Sequence, residues 1–234
     1  VSPWFFLLAA LLGMNSGNIF FVLLWVVVLF VSILVHELGH AFAYRYYGMP
    51  ARIVLYMMGG LAISESWGSR RMETVSRIVI SAAGPAAGFL LAGIVIAAIV
   101  LSGGKFFLQP ALIFWNVELP FQVAFIPGRV APSNSMLLAQ FIHQMLYVNI
   151  LWGLVNLLPI YPLDGGQISR ELFSTKDPFQ GTRNSLILSA VTAGAVAVYG
   201  LTHGSFFLGI FFGVLAYQSF QASQNMTGGG RRPW

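Results

Sequence analysis

Between Asn18 and Val35 the chain carries no charged residue, and nearly every side chain in that stretch is apolar. A run of this kind approaches the roughly 20 apolar residues that an α-helix needs to cross a hydrocarbon core. Five further apolar segments surround it. Together they fall at 3-14, 18-46, 76-102, 137-158, 184-203 and 205-222, separated by short connections. The first is too short to span alone and reads as a truncated or re-entrant helix, whereas 18-46 is long enough to cross with tilt or to project past the membrane surface. Composition agrees with this solvent: 57% of residues are hydrophobic and 8% charged, against about half and about a quarter in soluble domains. The expected fold is an all-α polytopic membrane protein with about six transmembrane segments. A single integral membrane domain over 1-223 and a flexible tail over 224-234 complete that expectation.

The formal charge of +5 comes from scattered Lys and Arg, and no basic stripe with interleaved aromatics points to nucleic acid. The basic residues instead report topology, because cytoplasmic loops are enriched in them. Arg45, Arg52, Arg70, Arg71 and Arg77 follow the second segment, only Lys105 and Arg129 follow the third, and Arg170, Lys176 and Arg183 follow the fourth. This alternation suits six crossings with both termini cytoplasmic. The chain has no cysteine, which excludes disulfides, thiolate metal sites and cysteine nucleophiles. It opens at Val1 without a basic n-region, so no cleavable signal peptide is read, and the missing Met suggests a trimmed start.

Two connections differ from polar loops. Residues 50-64, with Ile53, Val54, Leu55, Tyr56, Met57, Met58, Gly59 and Gly60, read as a short apolar β-element with a glycine break, lying against the membrane or its helices. Residues 106-132 are rich in Phe, Pro and Trp. Small residues recur four apart at Gly84 and Gly88 and at Gly209 and Gly213, and more loosely at Ala190, Gly194 and Val198. Close helix packing in lipid accounts for them.

The chemistry concentrates in His36-Glu37-Leu38-Gly39-His40, near the cytoplasmic end of the second segment. On a helix, positions i and i+4 share one face, so both imidazoles can reach one Zn²⁺, and the Glu between them can address a metal-bound water. This is the H-E-x-x-H pattern of metal-assisted hydrolysis, with Glu37 as general base. A purely structural reading of the motif is weak in lipid, where each ionisable side chain costs on the order of 2.5 kcal/mol or more at the bilayer centre and less near an interface. Two histidines leave a zinc site short of its usual three protein ligands. Asp164 is the candidate third ligand, just beyond the fourth segment in Asn156-Leu157-Leu158-Pro159-Ile160-Tyr161-Pro162-Leu163-Asp164-Gly165-Gly166. There Pro159 and Pro162 interrupt the helix and the paired glycines permit a tight turn. Without the histidine pair, Asp164 also reads as a turn residue ahead of the glycines. Glu65, Glu73, Glu118, Glu171 and Asp177 fall in connections and read as solvated carboxylates, and His143 and His203 as ordinary polar contacts.

At these residues the sequence resembles the site-2 protease family of intramembrane zinc metalloproteases. The resemblance runs from the His36-Glu37-Leu38-Gly39-His40 helix, through Ser81-Ala82-Ala83-Gly84-Pro85, to Asn156 and Leu163-Asp164-Gly165-Gly166. It implies a zinc held by His36, His40 and Asp164, water activated by Glu37, and a substrate transmembrane segment unwound for cutting. It also implies that Asn156 holds the substrate backbone or the oxyanion, although Asn156 reads equally as an interhelical hydrogen-bonding residue. The apolar strand ending near Gly59 and Gly60 would pair with the substrate as an added edge. The sequence departs from the family at Gly88, where members often carry Asn. It has no connection long enough for a PDZ domain and only a short tail in place of CBS domains, so it reads as a compact member.

The implied activity is hydrolysis of transmembrane protein substrates in the bilayer, in a prokaryotic cytoplasmic membrane, with the site toward the cytoplasm. A metal-ion transporter or a catalytically inactive membrane scaffold are the alternatives. A transporter has no need of Glu37 between the ligands, and would string its ligands along a path through the bilayer.

Overall fold

The computed structural model describes residues 18–56, 59–64, 72–102 and 136–227, the backbone of four short strands between Lys105 and Ile126, and Phe6, Leu7 and Ala10 ahead of them. Most of the first apolar segment, Glu65, Arg70, Arg71, Arg129 and the glycine-rich tail lie outside the described residues.

Five of the described helices are long and apolar enough to cross a bilayer. Helix α1 spans Ile19–Tyr46. Its start is fixed by Asn18, whose Oδ1 accepts the Phe20 N–H at 2.9 Å, one of the four amides that a helix start leaves unpaired. It stops where Gly48 adopts φ 76°, a left-handed conformation that a side chain disfavours. Helix α2 covers Thr74–Leu101 and contains Pro85, at which one ladder hydrogen bond is missing. The fourth apolar segment is interrupted: α3 (Met136–Tyr147) passes through a π turn (Val148–Trp152) into the short α4 (Gly153–Asn156). Then follow α5 (Asp164–Phe173), α6 (Pro178–Thr202) and α7 (Phe206–Thr227). Helix α6 opens on Asp177, whose carboxylate accepts the amides of Phe179 and Gln180 at 2.9 and 3.0 Å, with Pro178 at its first position.

The β-element expected at 50-64 is an antiparallel hairpin of β1 (Ala51–Tyr56) and β2 (Gly59–Ser64), paired from Ala51 with Ser64 to Tyr56 with Gly59. The first strand therefore ends at Tyr56, and Gly59 and Gly60 begin the returning strand. Between Lys105 and Ile126 lie four strands that the residue pattern did not announce. β3 (Lys105–Gln109) pairs with β6 (Gln122–Ile126), and β4 (Leu112–Phe114) with β5 (Val117–Leu119).

By internal packing the chain divides into two compact units. The first takes Val1–Arg71, Ala83–Gln109 and Phe121–Leu154. Its core joins α1 to α3 through Val28, Met145 and Val148, with Trp25, Leu29, Leu91 and Phe141 packed around them. A second cluster joins α2 to α3 through Ala92, Ile99 and Leu146. The hairpin rests on α1, where Ile53 packs with Ile33, Leu29 and Phe30. Leu23, Val27, Leu90 and Ile94 point outward, as lipid-facing side chains of spanning helices do.

The second unit takes Met72–Ala82, Pro110–Pro120 and Val155–Trp234. Helices α6 and α7 turn back at Gly204, with φ 79°. They approach so closely that a Cβ on Gly200 would press on Leu208, and one on Gly209 would overlap Leu201. Close packing thus explains Gly209, whereas Gly194 and Gly213 have no neighbour within 4 Å of an added Cβ.

Candidate metal centre

Helix α1 carries His36, Glu37 and His40 to buried positions, 6%, 5% and 8% exposed. His36 stands 17 residues after Ile19, about 26 Å along the axis at 1.5 Å per residue, near the far side of a core about 30 Å thick. The one-turn spacing sets the two imidazoles edge to face, with ring planes 80° apart and Nε2 atoms 3.2 Å from each other. Two nitrogens on one tetrahedral zinc, each at 2.0–2.1 Å, would be about 3.3 Å apart. Both Nε2 atoms therefore already stand at the separation that a shared ion requires.

The backbone of α2 makes room for this pair. A Cβ on Gly84 would collide with Nε2 of both His36 and His40, and one on Gly39 would overlap the Ala83 carbonyl. Gly84 is buried and is followed by the fully buried Pro85. The reading of Gly84 as a helix-packing glycine is incomplete, because what packs against it is the histidine pair. Its spacing to Gly88 had an ordinary explanation in lipid, and only the three-dimensional neighbour separates the two.

Asp164 opens helix α5, preceded by Leu163 in extended conformation. The approach from α4 is fixed by Ile160, fully buried, by a Leu163 N–H bond to the Ile160 carbonyl at 2.8 Å, and by the Tyr161 N–H donated to Ser189 Oγ on α6 at 3.1 Å. Gly165 and Gly166 do not form the expected turn. They sit in the first turn of α5, where a Cβ would overlap the backbone of Leu157 and Leu158 for Gly165, and of Ile160 and Tyr161 for Gly166. The glycine pair is required by close approach of two backbone segments, and so the helix begins at the aspartate itself.

His36, His40 and Asp164 each offer one ligand atom, and these atoms all lie within 4.8 Å of one another. Two imidazoles and one carboxylate are the donor set of a zinc site that keeps a fourth position for water or substrate. Asn156 is buried at the end of α4, while Gly59 and Gly60 lie in β2 of the hairpin.

A family model described as peptidase family M50 matches residues 24–198, a span that contains His36, His40, Gly84 and Asp164. The chain belongs to peptidase family M50. A zinc metalloprotease of Methanocaldococcus jannaschii is 27% identical over 166 residues, which cover 70% of this chain and 38% of that protein. A Synechocystis relative is 26% identical over 173 residues, 74% of this chain and 36% of the relative. The chain thus spans less than two-fifths of these relatives' length. The solved structure of a site-2 protease from Methanocaldococcus jannaschii has the same fold, with a TM-score of 0.55 at 20% identity over 98% of this chain and 89% of that one. The family member is accordingly an integral, multi-pass membrane protein, as its apolar helices require.

Other polar residues of this M50 chain fall in places that their sequence context did not announce. Glu171 is not a solvated carboxylate: it is 13% exposed and accepts from Arg77 Nε at 3.2 Å, while Arg77 also donates to the Met72 carbonyl at 3.2 Å. Asp177 has its role as the helix cap already described. His143 stacks on Tyr147 with centroids 6.2 Å apart, and His203 lies over Tyr199 with its Nδ1 2.9 Å from the Tyr199 carbonyl oxygen. His203 thus makes the polar contact expected of it, whereas the contact of His143 is a ring stack. Asn149, in the π turn, donates from Nδ2 to Ser32 Oγ at 2.9 Å and to the Met145 carbonyl at 2.8 Å.

Proposed function

We propose that this chain is an intramembrane zinc metalloprotease that hydrolyses peptide bonds in or near transmembrane segments of membrane-protein substrates. The reading rests above all on one observation, the placement of His36, His40 and Asp164 with ligand atoms within 4.8 Å of each other in a chain of bilayer-spanning helices. The M50 match and the relative named as a zinc metalloprotease support it.

In this reading His36, His40 and Asp164 hold the zinc, which supplies Lewis-acid polarisation of the scissile carbonyl when bound. Both histidines present Nε2, so each carries its ring proton on Nδ1 and offers a neutral nitrogen lone pair to the ion. The Glu37 carboxylate takes the proton of the attacking water and returns it to the leaving amine nitrogen. Burial of Glu37, which is 5% exposed, keeps bulk water away from that proton transfer. Asn156 holds the substrate backbone or the developing oxyanion. The hairpin of β1 and β2, which among the described residues pair only with each other, offers a strand edge to an extended substrate near Gly59 and Gly60.

The site faces the cytoplasmic side of a prokaryotic cytoplasmic membrane in this account. Support comes from the basic residues that follow α1 and the fourth segment, and from the archaeal and cyanobacterial relatives. A transporter is disfavoured because the ligands gather at one place rather than along a path. The test is incubation of detergent-purified protein with a panel of transmembrane peptides, with and without a chelator, and fragment mapping by mass spectrometry. Zinc-dependent, Glu37-dependent cleavage is expected, and intact peptides with a zinc-loaded protein would leave the scaffold alternative standing.

A further inference from the structure

Asn149 combines burial with an unmet hydrogen-bonding need. It is 4% exposed, and its Oδ1 accepts no hydrogen bond from any described residue. The orientation of the amide is not arbitrary, because Nδ2 lies against the Met145 carbonyl oxygen, a pure acceptor, at 2.8 Å. Turning the amide over would bring two carbonyl oxygens together. Oδ1 is therefore the group that needs a donor, inside a chain segment where lipid cannot supply one.

The opposite wall of the same place is Gly88 on α2. The two atoms nearest to a Cβ built there are the main-chain oxygen of Asn149, at 3.5 Å, and its Oδ1, at 3.6 Å. Two acceptors of one residue thus converge beside a buried glycine that puts no side chain between them. Water has two hydrogens to donate and fits buried polar sites of this kind.

We propose that an ordered water occupies this position, donating to the main-chain and side-chain oxygens of Asn149 beside Gly88. The water holds the amide with Nδ2 directed at Ser32, one turn before His36 on α1. On α2, Gly88 stands one turn after Gly84, which lies against His36 and His40. The water therefore braces the histidine helix from one turn away on both neighbouring helices. The π turn contributes by placing Asn149 opposite Ser32 and Gly88 together. This assignment stands on the packing of α1, α2 and α3 and does not depend on the proteolytic reading.

The decisive comparison is Gly88→Ser against Gly88→Ala. A serine hydroxyl about 1.4 Å from the Cβ closes to about 2.8 Å of Oδ1 at a near-tetrahedral angle, within the ordinary O–H···O range. It replaces the water's donated hydrogen, whereas the alanine methyl occupies the space and donates nothing. Helix propensity alone ranks alanine above serine. The proposal inverts that order, with Gly88→Ser melting about 2–4 °C above Gly88→Ala. In an Asn149→Leu background, where only the main-chain oxygen remains to accept, the serine advantage shrinks. Alanine melting at or above serine overturns the proposal. So does a high-resolution density map of the wild-type protein with no solvent peak within hydrogen-bonding distance of Asn149 Oδ1, a measurement that needs neither variant to fold.

Discussion

Glu37 and Gly84 mark the extremes of what single residues disclose at this centre. A Glu37→Gln exchange keeps the shape and loses the base. Hydrolysis of a transmembrane peptide is expected to fall by about 10²–10⁴-fold, with zinc content, measured by atomic emission, unchanged. Retention of the wild-type rate would remove Glu37 from the mechanism. Gly84→Ala is expected to act the other way round. Its methyl would occupy the space of both Nε2 atoms, so zinc stoichiometry drops, and the overpacked contact costs about 1–3 kcal/mol. His36, Glu37 and His40 stand out in the sequence because polar groups are conspicuous in apolar segments, whereas Asp164 was a candidate only because two histidines leave a zinc site one ligand short. Gly84 does not stand out, because a glycine announces nearness without naming its neighbour. Asn149 was missed for a related reason: one amide in an apolar run has a ready explanation as a helix-packing contact, and only its coordinates expose the unmet acceptor.

At the scale of elements, the apolar runs located the spanning helices but not their internal irregularities. The run at 137-158 shows no break in composition at Val148, yet the ladder widens there into a π turn, because registry against α1 and α2 is a tertiary property. The segment Asp164-Gly165-Gly166 has turn composition, and propensity was overridden by the need for two backbones to touch. Gly165→Ala is therefore expected to destabilise by more than a helix-favouring substitution would gain. A net loss of about 1–3 kcal/mol in a denaturation series is expected, together with reduced zinc retention, since Asp164 is its neighbour. A gain in stability would show that α5 can shift without penalty. The Arg77 and Glu171 pair links the start of α2 to α5. Because the Arg77 side chain is 46% exposed, a double-mutant cycle on the pair is expected to give only about 0.2–1 kcal/mol of coupling.

For the molecule as a whole, the bound ion is expected to be a structural element as much as a chemical one. The ligand atoms come from an α1 helix turn and from the start of α5, far apart in the sequence, and an ion that binds only the folded arrangement stabilises it by mass action. At a free zinc concentration about 100-fold above the dissociation constant, that linkage is about 2.7 kcal/mol. For a chain of this size each kcal/mol shifts the melting temperature by about 2–4 °C. Chelation should therefore lower the melting temperature of the detergent-purified protein by roughly 5–10 °C, and added zinc should restore it. The same titration on His40→Ala and on Asp164→Asn distinguishes a shared site from separate weak ones, because removing either ligand must flatten the zinc response. If Asp164→Asn kept the full zinc-dependent shift while His40→Ala lost it, the carboxylate would not be a ligand. The metal would then belong to the histidine helix alone.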